Sequence, residues 1–185
     1  MAKVIAVINM TLDGYCDHTV MIADEEIHQH YSELLRNAGA IIYGRITYQL
    51  MESYWPGIVV NPTGTASMDD FADSIHNTPK VLFSRTIKQV SWNNTRLADR
   101  GLEDEINALK QQLEDPVYLG SPGIIAACTN LKLIDEYQLC IHPVLAGNGL
   151  PLFLDLNDRS LLKLKGTKIF SSGCILLYYE STKPT

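Results

Sequence analysis

The chain has 185 residues, with 15 Lys and Arg against 21 Asp and Glu and a formal charge of −6. That size fits one domain spanning residues 1–185 and is enough to bury a core without disulfides or a metal. The acidic balance argues against a nucleic-acid or membrane-surface binder, because a protein that neutralises many phosphates normally carries a basic excess.

The start is apolar only from Val4 to Ile8. This is too short for a signal-peptide core, and no uncharged run approaches the roughly 18 residues a membrane span needs. A cytoplasmic protein is the expectation. Cys16, Cys128, Cys140 and Cys174 show neither CxxC nor zinc-finger spacing, so reduced thiols and no metal site are expected.

In chain order, Val4–Ile8 reads as a buried strand. Asp24–Asn37 reads as a helix with Asp24 as N-cap, an apolar face of Ile27, Tyr31, Leu34, Leu35 and Ala38, and a stop at Gly39. Ala40–Tyr43 is a second strand, turned by Gly44-Arg45 into a short helix, Ile46–Glu52. Pro56, Gly57, Pro62 and Gly64 then predict a long loop over Tyr54–Ala66. Met68–His76 reads as a helix, Lys80–Ser84 as a strand, and Arg85-Thr86 as a turn. Ser91–Arg96 is polar and reads as irregular.

Glu103–Leu113 is a helix with Ile106, Leu109 and Leu113 in register. Pro116–Leu119 is a strand, and Gly120-Ser121-Pro122-Gly123 leads into a helix, Ile124–Leu131, for which Ser121 is a suitable N-cap. Ile134–His142 is a strand and Pro143–Leu154 a loop. Leu161–Phe170 and Cys174–Glu180 form a terminal hairpin around Ser171-Ser172-Gly173. Strand–helix alternation followed by strands alone predicts an α/β domain with a mostly parallel sheet and an antiparallel edge. Ligands in such sheets collect at the carboxyl ends of the strands.

Three of those ends share a chemistry. Gly44-Arg45-Ile46-Thr47 offers a close backbone approach, a guanidinium, a hydroxyl and a helix start. Ser84-Arg85-Thr86 offers a guanidinium between two hydroxyls. Gly120-Ser121-Pro122-Gly123-Ile124 opens a helix with little bulk, although Pro122 lacks an N–H. Each reads equally well alone as an ordinary polar turn. Together they match a dinucleotide's diphosphate and extra ribose phosphate in number and type. The chain lacks GxGxxG, and Gly147-Asn148-Gly149 reads as a loop.

The strand Lys3–Asn9 followed by Met10-Thr11-Leu12-Asp13-Gly14-Tyr15 resembles the SLDGY opening of the dihydrofolate-reductase-like superfamily. The nearest branch is the reductase domain of the riboflavin-biosynthesis deaminase/reductase. Gly44-Arg45-Ile46-Thr47-Tyr48 is similar to its GRxTY motif. Tyr54-Trp55, Ser84-Arg85-Thr86, Gly120-Ser121, Leu133-Ile134-Asp135-Glu136 and the stretch from Pro143 to Phe153 continue the resemblance in order.

The resemblance implies a three-layer fold on a central sheet of eight or nine strands, NADPH as hydride donor, and a homodimer. By position it implies that Arg45, Thr47, Ser84, Arg85 and Thr86 hold the phosphates, with Gly44 at the same turn. Gly120, Ser121, Gly123 and Ile124 would hold the diphosphate and nicotinamide side, and Asn9 to Cys16 would border the nicotinamide. The activity implied is reduction of a small pyrimidine- or pterin-like heterocycle, the nearest named one being 5-amino-6-(5-phosphoribosylamino)uracil reductase. An NADP(H)-binding module without turnover is the alternative.

The place where folate reductases carry an acid facing the pterin falls near His28, with Glu25 and Glu26 one turn earlier, which disfavours folate reduction. No zinc-deaminase motif occurs in the sequence. Asp13 is the nearest acid and candidate catalytic group. It and Gly14 either contact substrate or form an Asp-Gly turn. Tyr54 and Trp55 either stack on the substrate or plug the core. His28 and His30 read as surface residues, and His142, at a strand end, either reaches the mouth of a pocket or only closes the strand.

Overall fold

In a computed structural model, which describes residues 1–22 and 24–182, the sheet has eight strands. The last three residues of the expected domain, 183–185, lie outside the described residues. The elements are β1 (Val4–Thr11), α1 (Glu25–Arg36), β2 (Ala40–Gly44), α2 (Arg45–Val60), α3 (Ala66–Asn77), β3 (Lys80–Phe83), β4 (Thr95–Leu97), α4 (Leu102–Gln112), β5 (Val117–Leu119), α5 (Pro122–Asn130), β6 (Glu136–His142), β7 (Leu162–Ile169) and β8 (Ile175–Ser181). Their order across the sheet is β4-β3-β2-β5-β1-β6-β8-β7. β1 to β6 pair in parallel, and β8 runs antiparallel to both β6 and β7. The expected mostly parallel sheet with a terminal antiparallel hairpin is what the chain forms.

Apolar alternation sends side chains to opposite faces. Val4, Ala6 and Met10 of β1 pack with Ile106 and Leu109 of α4 and Ile125 and Cys128 of α5. Ile5 and Val7 pack with Leu35 of α1, Tyr48 of α2 and Phe71 and Ile75 of α3. Helices therefore cover both faces. β5 sits between β2 and β1, and the helix that follows it lies on the opposite face from those that follow its two neighbours. The chain thus switches faces at β5, where an open α/β sheet leaves a crevice.

Three local expectations are corrected. The predicted loop over Tyr54–Ala66 is helical as far as Val60, with Pro56 inside α2. Trp55 packs edge-on against Phe71 at 4.5 Å between ring centroids, and tertiary packing of this third turn outweighs the local cost of Pro56 and Gly57. The predicted irregular stretch Ser91–Arg96 ends in β4, a three-residue edge strand. Its signal is hidden because a parallel edge strand needs only its partner's backbone. Lys80 N–H donates to Asn94 O, and Ala98 N–H donates to Leu82 O. Finally, His28 and His30 are half-buried rather than surface residues. His28 packs against Trp55 and Phe71, and His30 against Tyr31 and Phe170.

Asp24 caps α1 as expected, accepting from the N–H groups of Glu26 and Ile27.

Candidate nucleotide-binding edge

β3, β2 and β5 are consecutive in the sheet and run in the same direction, so the turns after them open side by side on one edge. A direct bond joins two of these turns. The Gly44 N–H donates to Ser121 Oγ at 2.9 Å. Ser121 is buried, and its hydroxyl, expected to cap its own helix, instead serves β2. Two consequences follow for the helix starts. α5 has no side-chain cap and begins with Pro122, which leaves the N–H groups of Gly123 and Ile124 without an intrahelical acceptor. α2 likewise has no side-chain cap at Gly44. Two helix N-termini with unclaimed donors therefore meet at one place, an arrangement that attracts anions.

The cations stand beside them. Arg45 is exposed, with Nη1 donating to Gln49 Oε1 at 3.0 Å, and Thr47 is half-buried in the same turn. Ser84 Oγ accepts from the N–H groups of Thr86 and Ile87, which shapes the turn that carries exposed Arg85. Lys88 folds back onto Arg85 O at 3.0 Å. A Cβ added at Gly123 would meet nothing within 4 Å, so the mouth of α5 has room for a ligand.

Gly120 has a different reason to be glycine. A Cβ there would stand 2.7 Å from Tyr43 Cε1 and 3.2 Å from Ile41 Cδ1. Gly120→Ala is expected to force the Tyr43 ring aside and cost about 1–3 kcal/mol, as overpacking does. Urea unfolding of the variant checks this, and a loss within error of zero contradicts it.

The loop after β1 is laced to the loop after β6. The Asp13 carboxylate accepts from Thr11 Oγ1 at 2.5 Å, Ala146 N at 3.1 Å and Gly147 N at 2.7 Å. The Thr11 hydroxyl and these two amides hold its pKa below the usual carboxylate range. Leu12 N–H donates to Val144 O, Cys16 N–H to Leu150 O, and Leu152 N–H to Gly14 O. Gly14, at φ +91°, makes the turn that a side chain would strain. The geometry gives Asp13 a loop-holding role. Of the two aromatic candidates, Tyr54 is half-exposed, while Trp55 is wedged between Tyr54, Phe71 and His28.

A polar cluster lies beneath α1 that the sequence does not announce as a cluster. His142 is 1% exposed and lies among Asn9, Ile22, Cys140 and Cys174. Its position at the carboxyl end of a strand was the available signal.

Burial lowers the pKa values of His28, His30 and His142, with Asp24 acting the other way on His28 and His142. The unfolded chain takes up protons near pH 6.5, where the native rings resist them, so the unfolded state binds more protons as the pH falls. The part of the stability that these three rings govern is expected to hold above about pH 6.5 and to decline below it, by at most about 1.4 kcal/mol per pH unit for each resisted proton. Urea midpoints measured from pH 8 down to about pH 5 check the sign, and the slope should flatten in His142→Gln.

Two clefts lie away from this edge. One of about 730 Å³ opens at the amino ends of β2, β3 and β4, lined by Lys80, Asn93, Asn94 and Arg96 among others. Another of about 270 Å³ lies over β6, β8 and β7. No helix among the described residues is long and apolar enough to cross a membrane.

A parallel sheet with helices on both faces, an antiparallel terminal hairpin and three polar turns at its switch point define an α/β domain of the dihydrofolate-reductase-like type. The family model described as the RibD C-terminal domain matches residues 2–177, and the chain belongs to that family. It is 31% identical over 186 residues to YyaP of Bacillus subtilis (strain 168), covering 96% of this chain and 94% of that protein. Among solved structures it is similar to a putative riboflavin biosynthesis protein from Shewanella sp. PV-4, with TM-score 0.76 and 19% identity, covering 99% of this chain and 100% of that one. It is also similar to the Thermotoga maritima diaminohydroxyphosphoribosylaminopyrimidine deaminase/5-amino-6-(5-phosphoribosylamino)uracil reductase. There the TM-score is 0.64 and the identity 17%, over 98% of this chain and 57% of that one.

Proposed function

We propose that the chain is an NADPH-dependent oxidoreductase that reduces a small pyrimidine- or pterin-like heterocycle. The nearest named activity is that of 5-amino-6-(5-phosphoribosylamino)uracil reductase. The observation that carries this reading is the bond from Gly44 N–H to Ser121 Oγ, which draws two uncapped helix starts together on the edge that carries Arg45 and Arg85. Membership of the RibD C-terminal domain family supports it.

In this reading Arg45, Thr47, Ser84, Arg85 and Thr86 take the ribose phosphate, with Gly44 leaving room. Gly120, Ser121, Gly123 and Ile124 take the diphosphate, the last two through unclaimed N–H groups. When bound, the reduced nicotinamide supplies the hydride. The residues of this chain bind and orient it, with Asn9, Asp13 and Gly14 bordering the ring and Tyr54 and Trp55 offering aromatic surface to the substrate. The net negative charge opposes an anionic ligand, so affinity rests on these few local donors.

The proposal includes a homodimer in the cytoplasm. Leu145, Leu150, Leu154, Leu161, Leu164 and Ile169 are exposed apolar side chains in and before β7, a surface suited to a second copy. Light scattering that gives a monomer at micromolar concentration refutes this part.

The test of function is loss of reduced-nicotinamide absorbance when 5-amino-6-(5-phosphoribosylamino)uracil is added to protein and NADPH. Turnover with NADPH that exceeds turnover with NADH supports the reading. Tight NADPH binding with no turnover on pyrimidines, pterins or dihydrofolate favours a binding module instead. That second reading draws on Asp13, the nearest acid, having both carboxylate oxygens committed to the loops.

A further inference from the structure

Asn9 lies on β1, on the face beneath α1, in register with Cys140 of β6. Two residues further along β6, the His142 ring receives the Ile22 backbone N–H at Nδ1, at 3.1 Å. A backbone N–H can only donate, so Nδ1 is the acceptor and, in the neutral ring, Nε2 carries the proton. Nε2–H therefore donates to Asn9 Oδ1 at 3.2 Å. The Tyr31 hydroxyl donates to the same oxygen, also at 3.2 Å. With both lone-pair directions of Oδ1 taken, the carboxamide is fixed against flipping. Its NH2 group makes no hydrogen bond to any described residue. On α1, His28 lies one turn before Tyr31 and so on the same side, against Trp55 and Phe71.

We propose that the Asn9 NH2 group reads a carbonyl oxygen of a planar heterocycle bound over the α1 face of the sheet, with Tyr31 and His142 as the positioning residues that fix its direction. The chemistry is an amide donor facing a ring or carboxamide carbonyl. Either a pyrimidine ring or a nicotinamide carboxamide can supply that oxygen. The inference rests on the proposed reductase function for its classes of ligand and deepens it, and the titration with uracil or nicotinamide reads it apart from turnover.

The first test is direct. The Asn9 side-chain NH2 signal in 15N spectra of the whole chain is followed as uracil, and separately nicotinamide, is added. A shift with either supports the proposal and says which carbonyl is read. No shift with either at saturating concentration overturns it. Imidazole 15N shifts should show His142 protonated at Nε2 and bare at Nδ1, and the opposite tautomer also overturns it. A chain that fails to oxidise NADPH yet shows the uracil shift removes the proposed activity and leaves this inference in place.

The second test uses Asn9→Asp, which keeps acceptors for Tyr31 and His142 and replaces both donors by a negatively charged oxygen that repels a carbonyl. We expect a rise of about 10- to 100-fold in either the NADPH Kd or the KM for 5-amino-6-(5-phosphoribosylamino)uracil. Tyr31→Phe, which frees one lone pair, should move the same constant by less. An Asn9→Asp variant that changes neither constant contradicts the proposal.

Discussion

Replacing Lys80 by Met is expected to lower the stability of the protein by about 3–5 kcal/mol. Lys80 is 1% exposed, yet all three of its ammonium protons are used. They go to Ile75 O at 2.7 Å, His76 O at 3.0 Å and Thr78 O at 2.8 Å, at the C-terminal end of α3. The need for them is legible in the chain. The residue four after Ile75 is Pro79, which has no N–H to continue the helix, so the Ile75 carbonyl has no backbone partner in the expected register. Asn93 gives His76 O a second donor, and Asn94 serves Asn77 O, but Ile75 O and Thr78 O depend on Lys80. Each buried carbonyl left unpaired costs about 1–3 kcal/mol. The ammonium also lies 4.5 Å from the centroid of the Trp92 ring, a cation–π contact that a thioether does not replace. Burial pushes the Lys80 pKa down to about 7, while the carbonyls and the indole face favour the charged form and oppose that fall. Denaturant unfolding measures the effect. A loss below about 1 kcal/mol would show that water entering from the adjacent cleft replaces the ammonium.

Arg45→Ala and Arg85→Ala are each expected to weaken NADPH binding more than NADH binding, by about 1–3 kcal/mol, or roughly 5- to 150-fold. Both side chains are exposed on the edge where β2 and β3 end. Neither guanidinium is in a protein salt bridge among the described residues. Arg45 spends one N–H on Gln49 and keeps the remainder for a ligand. If these residues grip the extra ribose phosphate, their loss acts on the coenzyme that carries it and spares the one that does not. Fluorescence titration of both coenzymes against each variant reads the difference. Equal losses for NADPH and NADH contradict the ribose-phosphate assignment, and no loss for either removes both arginines from the site.

Much of this architecture was legible because a buried parallel strand announces itself as a short run of β-branched and aliphatic residues. Val4–Ile8, Ala40–Tyr43 and Pro116–Leu119 were such runs, and each lies in or overlaps a strand. The helix of Asp24–Asn37 was legible from its cap and its apolar face. The extension of α2 through Pro56 was not, because the packing of Trp55 on Phe71 is a long-range fact that outweighs local propensity. β4 escaped because three polar residues on an edge carry no alternation.

The three polar turns are legible from their place after buried strands and from their residue types, but not how they meet. Ser121 read as the cap of its own helix, and only the neighbouring strand reveals that its hydroxyl belongs to Gly44. Gly120 stands in the sequence reading only as a coenzyme-binding residue implied by the resemblance, and the structure adds the close Tyr43 ring that a side chain there would meet. Lys80 and His142 were seen only as strand-end residues. Their partners come from α3, from β1 and from the segment before α1, and no local pattern encodes those meetings.

The central claim is that the turns after β2, β3 and β5 act as one phosphate-binding edge. The most direct test is a backbone amide spectrum recorded while NADPH is added. The signals of Gly44 to Thr47, Ser84 to Thr86, and Ser121, Gly123 and Ile124 are expected to move together along a single binding curve. Movement of one turn alone, or three turns responding at different ligand concentrations, would contradict it.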